Sequence, residues 1–252
     1  MDQGSPTVED EDGARMGAWA PEGSRVYAIG DIHGRADLLH DLQAMILDDA
    51  TGVEGRKVVV YLGDYIDRGR DSRGVVESLV EAPLPGFEVI HLMGNHDAWM
   101  IECLDGDGLD VAWLLNGGTA TLTSYGVSLD AGLAFEELEA AGRDLNQAVP
   151  EAHREFFRAL RLSHAEGDYL FVHAGIRPGV PLAEQVRDDL MWIREEFLYS
   201  NRDHGKIVVH GHTPSHEVQL QPNRIGIDTG AFATNRLTCL VLEGDQRRFL
   251  HT

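Results

Sequence analysis

The 252-residue sequence predicts a mixed α/β chain built around a largely parallel sheet. Two observations carry that reading. Short β-branched apolar runs alternate with segments of helical apolar spacing through the first third, a βαβαβ pattern. The last third then returns to closely spaced apolar runs, each ending in polar or turn residues. Hydrophobic residues make up 43% of the chain, enough for a sizeable core.

The elements follow in order. Residues 1–23 are acidic and glycine-rich, with too little apolar surface to offset the entropy of ordering, and read as a mobile tail. They carry no basic and apolar regions of the kind that make a signal peptide. "RVYAIG" (25–30), "KVVVYLG" (57–63) and "FEVIHLM" (87–93) read as buried strands. Residues 36–50 and 71–82 between them have helical spacing, and 97–163 look mostly helical. Strands return at 168–174, 206–211, 224–229 and 237–244, with "RRFLHT" as an added edge strand. No linker divides residues 24–252, which are expected to form one domain.

Composition excludes some functions. The net charge of −21 disfavours nucleic acid and anionic membranes as partners, because their phosphates would be repelled. No apolar run approaches the ~20 residues of a membrane span, so the cytosol is the expected compartment. Cys103 and Cys239 sit among apolar residues without zinc-motif spacing and read as reduced core thiols.

Five strand-like runs end in polar clusters: "GDIHG" with Asp31 and His33, "GDYIDRG" with Asp64, Asp67 and Arg68, "GNHD" with Asn95, His96 and Asp97, "HAG" with His173, and "HGHT" with His210 and His212. Ligands of open α/β sheets gather at the carboxyl ends of strands, so these clusters are expected to converge. Each alone has a plain structural explanation. "GDIHG" could be an Asp-containing turn, "GNHD" a helix cap, and His173 a core histidine. Their recurrence at the same strand position is what argues for a site. A donor set of Asp, His and Asn without thiolate suits Mn, Fe or Zn. His210 is the exception and reads as structural.

Taken in this order, "GDIHG", "GDYIDRG", "GNHD", "HAG" and "GHTP" resemble the calcineurin-like metallophosphoesterases. The "GD-x-x-DRG" form is similar to the phosphoprotein phosphatase branch, and "WLLNGG", "MWIRE" and "IDTGA" extend the likeness to bacterial and lambda-phage-type serine/threonine phosphatases. It covers roughly residues 25–244. The resemblance implies two mixed sheets packed face to face and flanked by helices, where the pattern alone suggests a simpler three-layer sheet. It also implies two divalent metal ions, Mn with Fe or Zn as alternatives. Asp31 and His33 would hold the first, Asn95, His173 and His212 the second, and Asp64 would bridge them. His96 would be the general acid, oriented by Asp67, and Arg68 and Arg194 would bind phosphate oxygens. Two departures stand out: Asp97 where the protein phosphatases usually have Glu, and Thr213 where many wider relatives have a second histidine.

The expected activity is therefore that of a protein serine/threonine phosphatase: metal-dependent hydrolysis of a phosphomonoester by direct attack of a metal-bound hydroxide, with a phosphorylated protein or small phosphoester as substrate. A monomer is favoured. A symmetrical bis(5'-nucleosyl)-tetraphosphatase is the alternative; that branch typically lacks the Asp of "DRG", so Asp67 argues against it. An inactive binding protein on the same scaffold is the alternative of another class.

Overall fold

The computed structural model describes residues 17–81, 84–129 and 134–252. The expected tail lies outside the described residues through residue 16. At its far end Ala18 and Ala20 are buried, and the Trp19 backbone N–H donates to Asp168.

In chain order the strands are β1 (Ser24–Ile29), β2 (Arg56–Tyr61), β3 (Glu88–His91), β4 (Ser163–Glu166), β5 (Tyr169–Val172), β6 (Ile207–His210), β7 (Gln219–Gln221), β8 (Arg224–Gly226), β9 (Thr238–Glu243) and β10 (Gln246–His251). The helices are α1 (Ala36–Asp49), α2 (Ser72–Glu81), α3 (Asn95–Glu102), α4 (Val111–Trp113), α5 (Thr119–Ser124), α6 (Phe135–Ala148), α7 (Glu151–Arg158), α8 (Arg187–Trp192), α9 (Glu195–Leu198) and α10 (Ala231–Thr234). Two π-helical turns, Cys103–Asp107 and Leu114–Gly118, interrupt the helical middle.

The strands form two five-stranded sheets, β10-β9-β1-β2-β3 and β4-β5-β6-β8-β7. This replaces the single three-layer sheet that the alternation suggests. In the first sheet β1, β2 and β3 are parallel and β9 returns antiparallel to β1. β10 is the expected edge strand.

Side-chain alternation explains the layering. Val26, Ala28, Val58, Val60 and Ile90 face the second sheet, and meet Tyr169, Phe171, Ile207, Val209 and Ile225 in one buried core. The intervening Tyr27, Ile29, Val59 and Tyr61 face the other way, onto Leu39, Leu42, Val75 and Val76 of α1 and α2. On the far side of the second sheet, Leu170, Val172 and Val208 pack against Leu190 and Phe197 of α8 and α9. The result is helix, sheet, sheet, helix. β1 and β2 pair with Ile29 opposite Tyr61, and β2 and β3 with Tyr61 opposite His91. The three strands therefore end level, and the segments that follow them start side by side.

Candidate metal centre

Turns after β1, β2, β3, β5 and β6 supply the site, and their backbones are unusual. Among the described residues six non-glycine residues have positive φ, and five of them are His33, Asp64, Asp67, Arg68 and His212. This left-handed region is costly for residues with a Cβ and tends to be held at functional sites.

Asp64 is the centre. One carboxylate oxygen, Oδ1, accepts the N–H of His96 in the first turn of α3. The other, Oδ2, lies 3.4 Å from His33 Nε2, 3.5 Å from His173 Nε2 and 4.0 Å from His96 Nε2. Two donor groups thus share Asp64: His33 with His96, and His173 with His212. The His33 Nδ1–H donates to the Ile66 carbonyl, and the His173 Nδ1–H to the Leu62 carbonyl. Each bond fixes a tautomer whose Nε2 lone pair faces Asp64. Asn95 Oδ1 lies 3.0 Å from His173 Nε2 and 2.9 Å from His212 Nδ1. Burial pushes the His33 imidazole down to about 3 and the His212 imidazole down to about 2. Both rings are neutral near pH 7 and able to accept a cation. Burial tends to raise the Asp64 carboxyl, but the surrounding imidazoles hold it below the usual carboxylate range.

Asp31 is buried at the edge of this group. Its carboxylate accepts the His212 N–H, and its surroundings include Asp64 and a further buried carboxylate, Asp228. Burial, then repulsion from Asp228 and Asp64, pushes the Asp31 carboxyl well above its ordinary value; burial raises Asp228 to about 6. Packing this many carboxylates so closely is unfavourable unless cations join them. These residues therefore fit divalent metal ions: shared carboxylate, aimed imidazole lone pairs, an amide oxygen between two rings and a repelling acidic pair.

Asp67 is fully buried. Its Oδ2 lies 2.5 Å from His96 Nδ1 and accepts the Trp113 indole N–H at 2.7 Å; its Oδ1 accepts the Thr121 hydroxyl at 2.6 Å. His96 Nε2 faces the guanidinium of Arg68, which donates at 3.2 Å there and at 2.9 Å to His33 Nε2. Arg68 thus spans the imidazoles of the first group. Arg194 is exposed at the other side, its charge reaching His173 and His212. His210 lies apart, its Nε2 accepting from Arg224.

Two contributors have no clear signal in the sequence, and a third, Asp97, has a role that its motif does not spell out. Trp113 stands in the quoted "WLLNGG", but nothing in that string says its indole reaches Asp67. Asp228, in "IDTGA", reads as a turn residue after an apolar run. Asp97 stands next to the site residues, and its work is on backbone: its carboxylate accepts the N–H groups of Asp64 and Gly94 at 2.8 Å and of Tyr65 at 3.1 Å, tying the β2 turn to α3.

The chain is similar to known proteins. The calcineurin-like phosphoesterase family matches residues 24–242. The chain is 25% identical over 240 residues to the asymmetrical bis(5'-nucleosyl)-tetraphosphatase PrpE of Bacillus mycoides, covering 84% of this chain and 88% of that protein. It is 26% identical over 198 residues to the symmetrical bis(5'-nucleosyl)-tetraphosphatase of Nitrosospira multiformis, covering 74% of this chain and 60% of that one. Among solved structures, one with a provisional diadenosine tetraphosphatase assignment superposes with a TM-score of 0.60 at 22% identity, covering 92% of this chain and 98% of that one. The cold-active protein-tyrosine phosphatase of a Shewanella species superposes with a TM-score of 0.54 at 16% identity, covering 99% and 87%. Those two structures share the fold. With the match spanning nearly the whole chain, this protein belongs to the calcineurin-like phosphoesterase family.

Proposed function

We propose that the chain hydrolyses dinucleoside tetraphosphates, using two divalent metal ions held around Asp64. The observation that carries the chemistry is the sharing of Asp64 Oδ2 between two sets of buried imidazoles. The choice of substrate is supported by the curated relatives, which are bis(5'-nucleosyl)-tetraphosphatases. Asp31 and His33 would hold one ion, Asn95, His173 and His212 the other, and Asp64 both. When bound, such ions activate water and neutralise phosphate charge; Mn, Fe and Zn all suit these donors.

The chain's own groups do the rest. Arg68, against the His33 and His96 rings, and exposed Arg194, whose charge reaches His173 and His212, would offer planar donors to phosphate oxygens. His96 keeps its Nε2 toward the site and its Nδ1 against Asp67; with a proton on Nε2, where Arg68 donates in this structure, it would be placed to protonate the leaving oxygen. Trp113 and Thr121 hold Asp67, and the Asp97 carboxylate holds the turn that presents Asp64.

The His96–Asp67 pair favours a second reading, a protein serine/threonine phosphatase. A nucleotide leaves readily with little protonation, whereas a serine alkoxide needs the proton. Purified Mn-loaded protein should be given diadenosine tetraphosphate and a phosphoserine peptide in parallel, with products separated by ion exchange. Two ADP indicate symmetrical cleavage, and ATP with AMP asymmetrical cleavage. Peptide turnover without dinucleotide turnover would replace the first reading with the second.

A further inference from the structure

Large exposed apolar side chains flank the metal centre on both sides, and the fold braces them there. Phe232, on α10, is 38% exposed, with its ring 5.7 Å from the His33 ring and the Arg68 guanidinium 5.1 Å from its centroid. Trp192, the last residue of α8, is 41% exposed, with its ring 6.3 Å from the His212 ring and 5.0 Å from Trp99, which in turn lies 5.1 Å from His96. The Asp64 carboxylate lies between the two histidine sets that these rings touch.

Neither ring sits on loose chain. Buried Arg35 donates to the Ala231 carbonyl at 3.0 Å and to Asn235 Oδ1 at 2.7 Å, clamping both ends of α10. The Thr234 hydroxyl donates to the Thr229 carbonyl at 2.8 Å. For α8, the Ala174 N–H donates to the Leu190 carbonyl at 2.8 Å, tying the helix to the segment that carries His173. Asp189 accepts a two-pronged bond from Arg177. Scattered exposed apolar residues need no explanation. Two aromatic rings held in fixed positions on either side of a phosphoester site do.

We propose that Trp192 and Phe232 are base-stacking platforms, one for each nucleoside of a dinucleoside polyphosphate whose phosphate chain lies across the metal centre. This rests on the dinucleotide reading above. Every nucleobase has a π-face, and stacking on an aromatic side chain contributes ~1–3 kcal/mol per base. A substrate with a base at each end of its phosphate chain matches a site with an aromatic ring on each side. A phosphoserine side chain would use neither ring. Phe232 has a further property: Arg68 lies against it, so the ring also positions a phosphate-binding guanidinium by cation–π contact.

The test compares wild type, Trp192→Ala, Phe232→Ala and the double variant, with Trp192→Phe and Phe232→Leu as conservative controls for folding. Two quantities are read on Mn-loaded protein: the KM for diadenosine tetraphosphate and the inhibition constant of inorganic tripolyphosphate, which has phosphates and no base. A third, quenching of tryptophan emission by a non-hydrolysable methylene-bridged analogue of diadenosine tetraphosphate, is read on the metal-loaded protein and requires no turnover. Each alanine variant should raise KM roughly 5- to 150-fold, Trp192→Phe should restore most of it, and the tripolyphosphate constant of Trp192→Ala should not move. Quenching should fall in Trp192→Ala. An unchanged KM, or equal losses for dinucleotide and tripolyphosphate in Trp192→Ala, overturns the platforms. If wild type quenches, Trp192→Ala quenches less, and wild type does not cleave the dinucleotide, the platforms stand and the proposed activity falls. If it cleaves without quenching and with unaltered KM in the variants, the activity stands and the platforms fall.

Discussion

Trp113→Phe is the substitution that most directly asks whether the Asp67–His96 pair works as a unit. Trp113 is fully buried, and its indole N–H ends 2.7 Å from Asp67 Oδ2, the oxygen that also faces His96 Nδ1 at 2.5 Å. Phenylalanine keeps an aromatic ring in the pocket and removes only that donor and some volume. A hydrogen bond to a charged acceptor contributes ~1.5–3 kcal/mol. Thr121 remains on Oδ1, so Asp67 is loosened and not released. If the whole loss appears in the transition state it is worth about one to two decades in rate. If it appears only in folding, it lowers Tm by about 3–12 °C for a chain of this size. The two are separated by leaving-group dependence. Phenyl phosphate has the more basic leaving group and should lose roughly 10- to 100-fold in kcat, whereas p-nitrophenyl phosphate should lose under about 5-fold. Metal content, read by elemental analysis, should stay at the wild-type level. Equal kcat losses on both substrates, or normal rates on both with a lowered Tm, would refute the argument and leave Trp113 as a packing residue.

Other perturbations test other parts of the site. Asp64→Asn should reduce bound metal and cut turnover by at least about 100-fold, because the shared oxygen loses its charge; near-normal rates with two ions retained would dismiss the bridging role. At Gly117, with φ of +114°, an added Cβ would fall 2.7 Å from Arg68 Cγ and 2.8 Å from its backbone nitrogen. Gly117→Ala should therefore displace Arg68 and weaken inhibition by orthophosphate roughly 10-fold at unchanged metal content, and retained inhibition would show that Arg68 does not touch phosphate. His91 is held by burial at about 4, below its ordinary value near 6.5. The unfolded chain therefore takes up this proton first as pH falls, and stability is lost between pH 6.5 and 4, by about 3 kcal/mol at pH 4. His33 and His212, also held low, cost stability over the same range. His91→Phe should therefore reduce the fall in Tm across that window by the share of one histidine and not abolish it, whereas an unaltered slope would assign the acid sensitivity elsewhere.

The first sheet and its polar strand ends are plain in the sequence because β1, β2 and β3 are apolar runs that stop at glycine-led motifs. The split into two sheets is not. β4 is "SHAE" and β7 is "QLQ", edge strands whose exposed side chains hide the alternation. The inward faces of β1 and β5 meet only in three dimensions, and periodicity within a strand cannot say which sheet it joins. Convergence of Asp31, His33, Asp64, Asn95, His173 and His212 follows from strand-end position, a regular feature of the fold. Trp113 and Asp228 reach the site through the helical middle and the loop after β8. No spacing rule connects either to Asp67 or Asp31.

The left-handed backbones at His33, Asp64, Asp67, Arg68 and His212 have a consequence for how the fold and the chemistry compete. Each holds a side chain with a Cβ where glycine would be more comfortable, at a cost of roughly 1 kcal/mol. Together that is about 5 kcal/mol, a large share of the 5–15 kcal/mol that separates folded from unfolded chains. The turns that build the site thus work against the stability of the domain that carries them. A directed-evolution campaign selecting this chain for thermal resistance alone should drift toward glycine or asparagine at these five positions, gaining melting temperature as it loses the reaction.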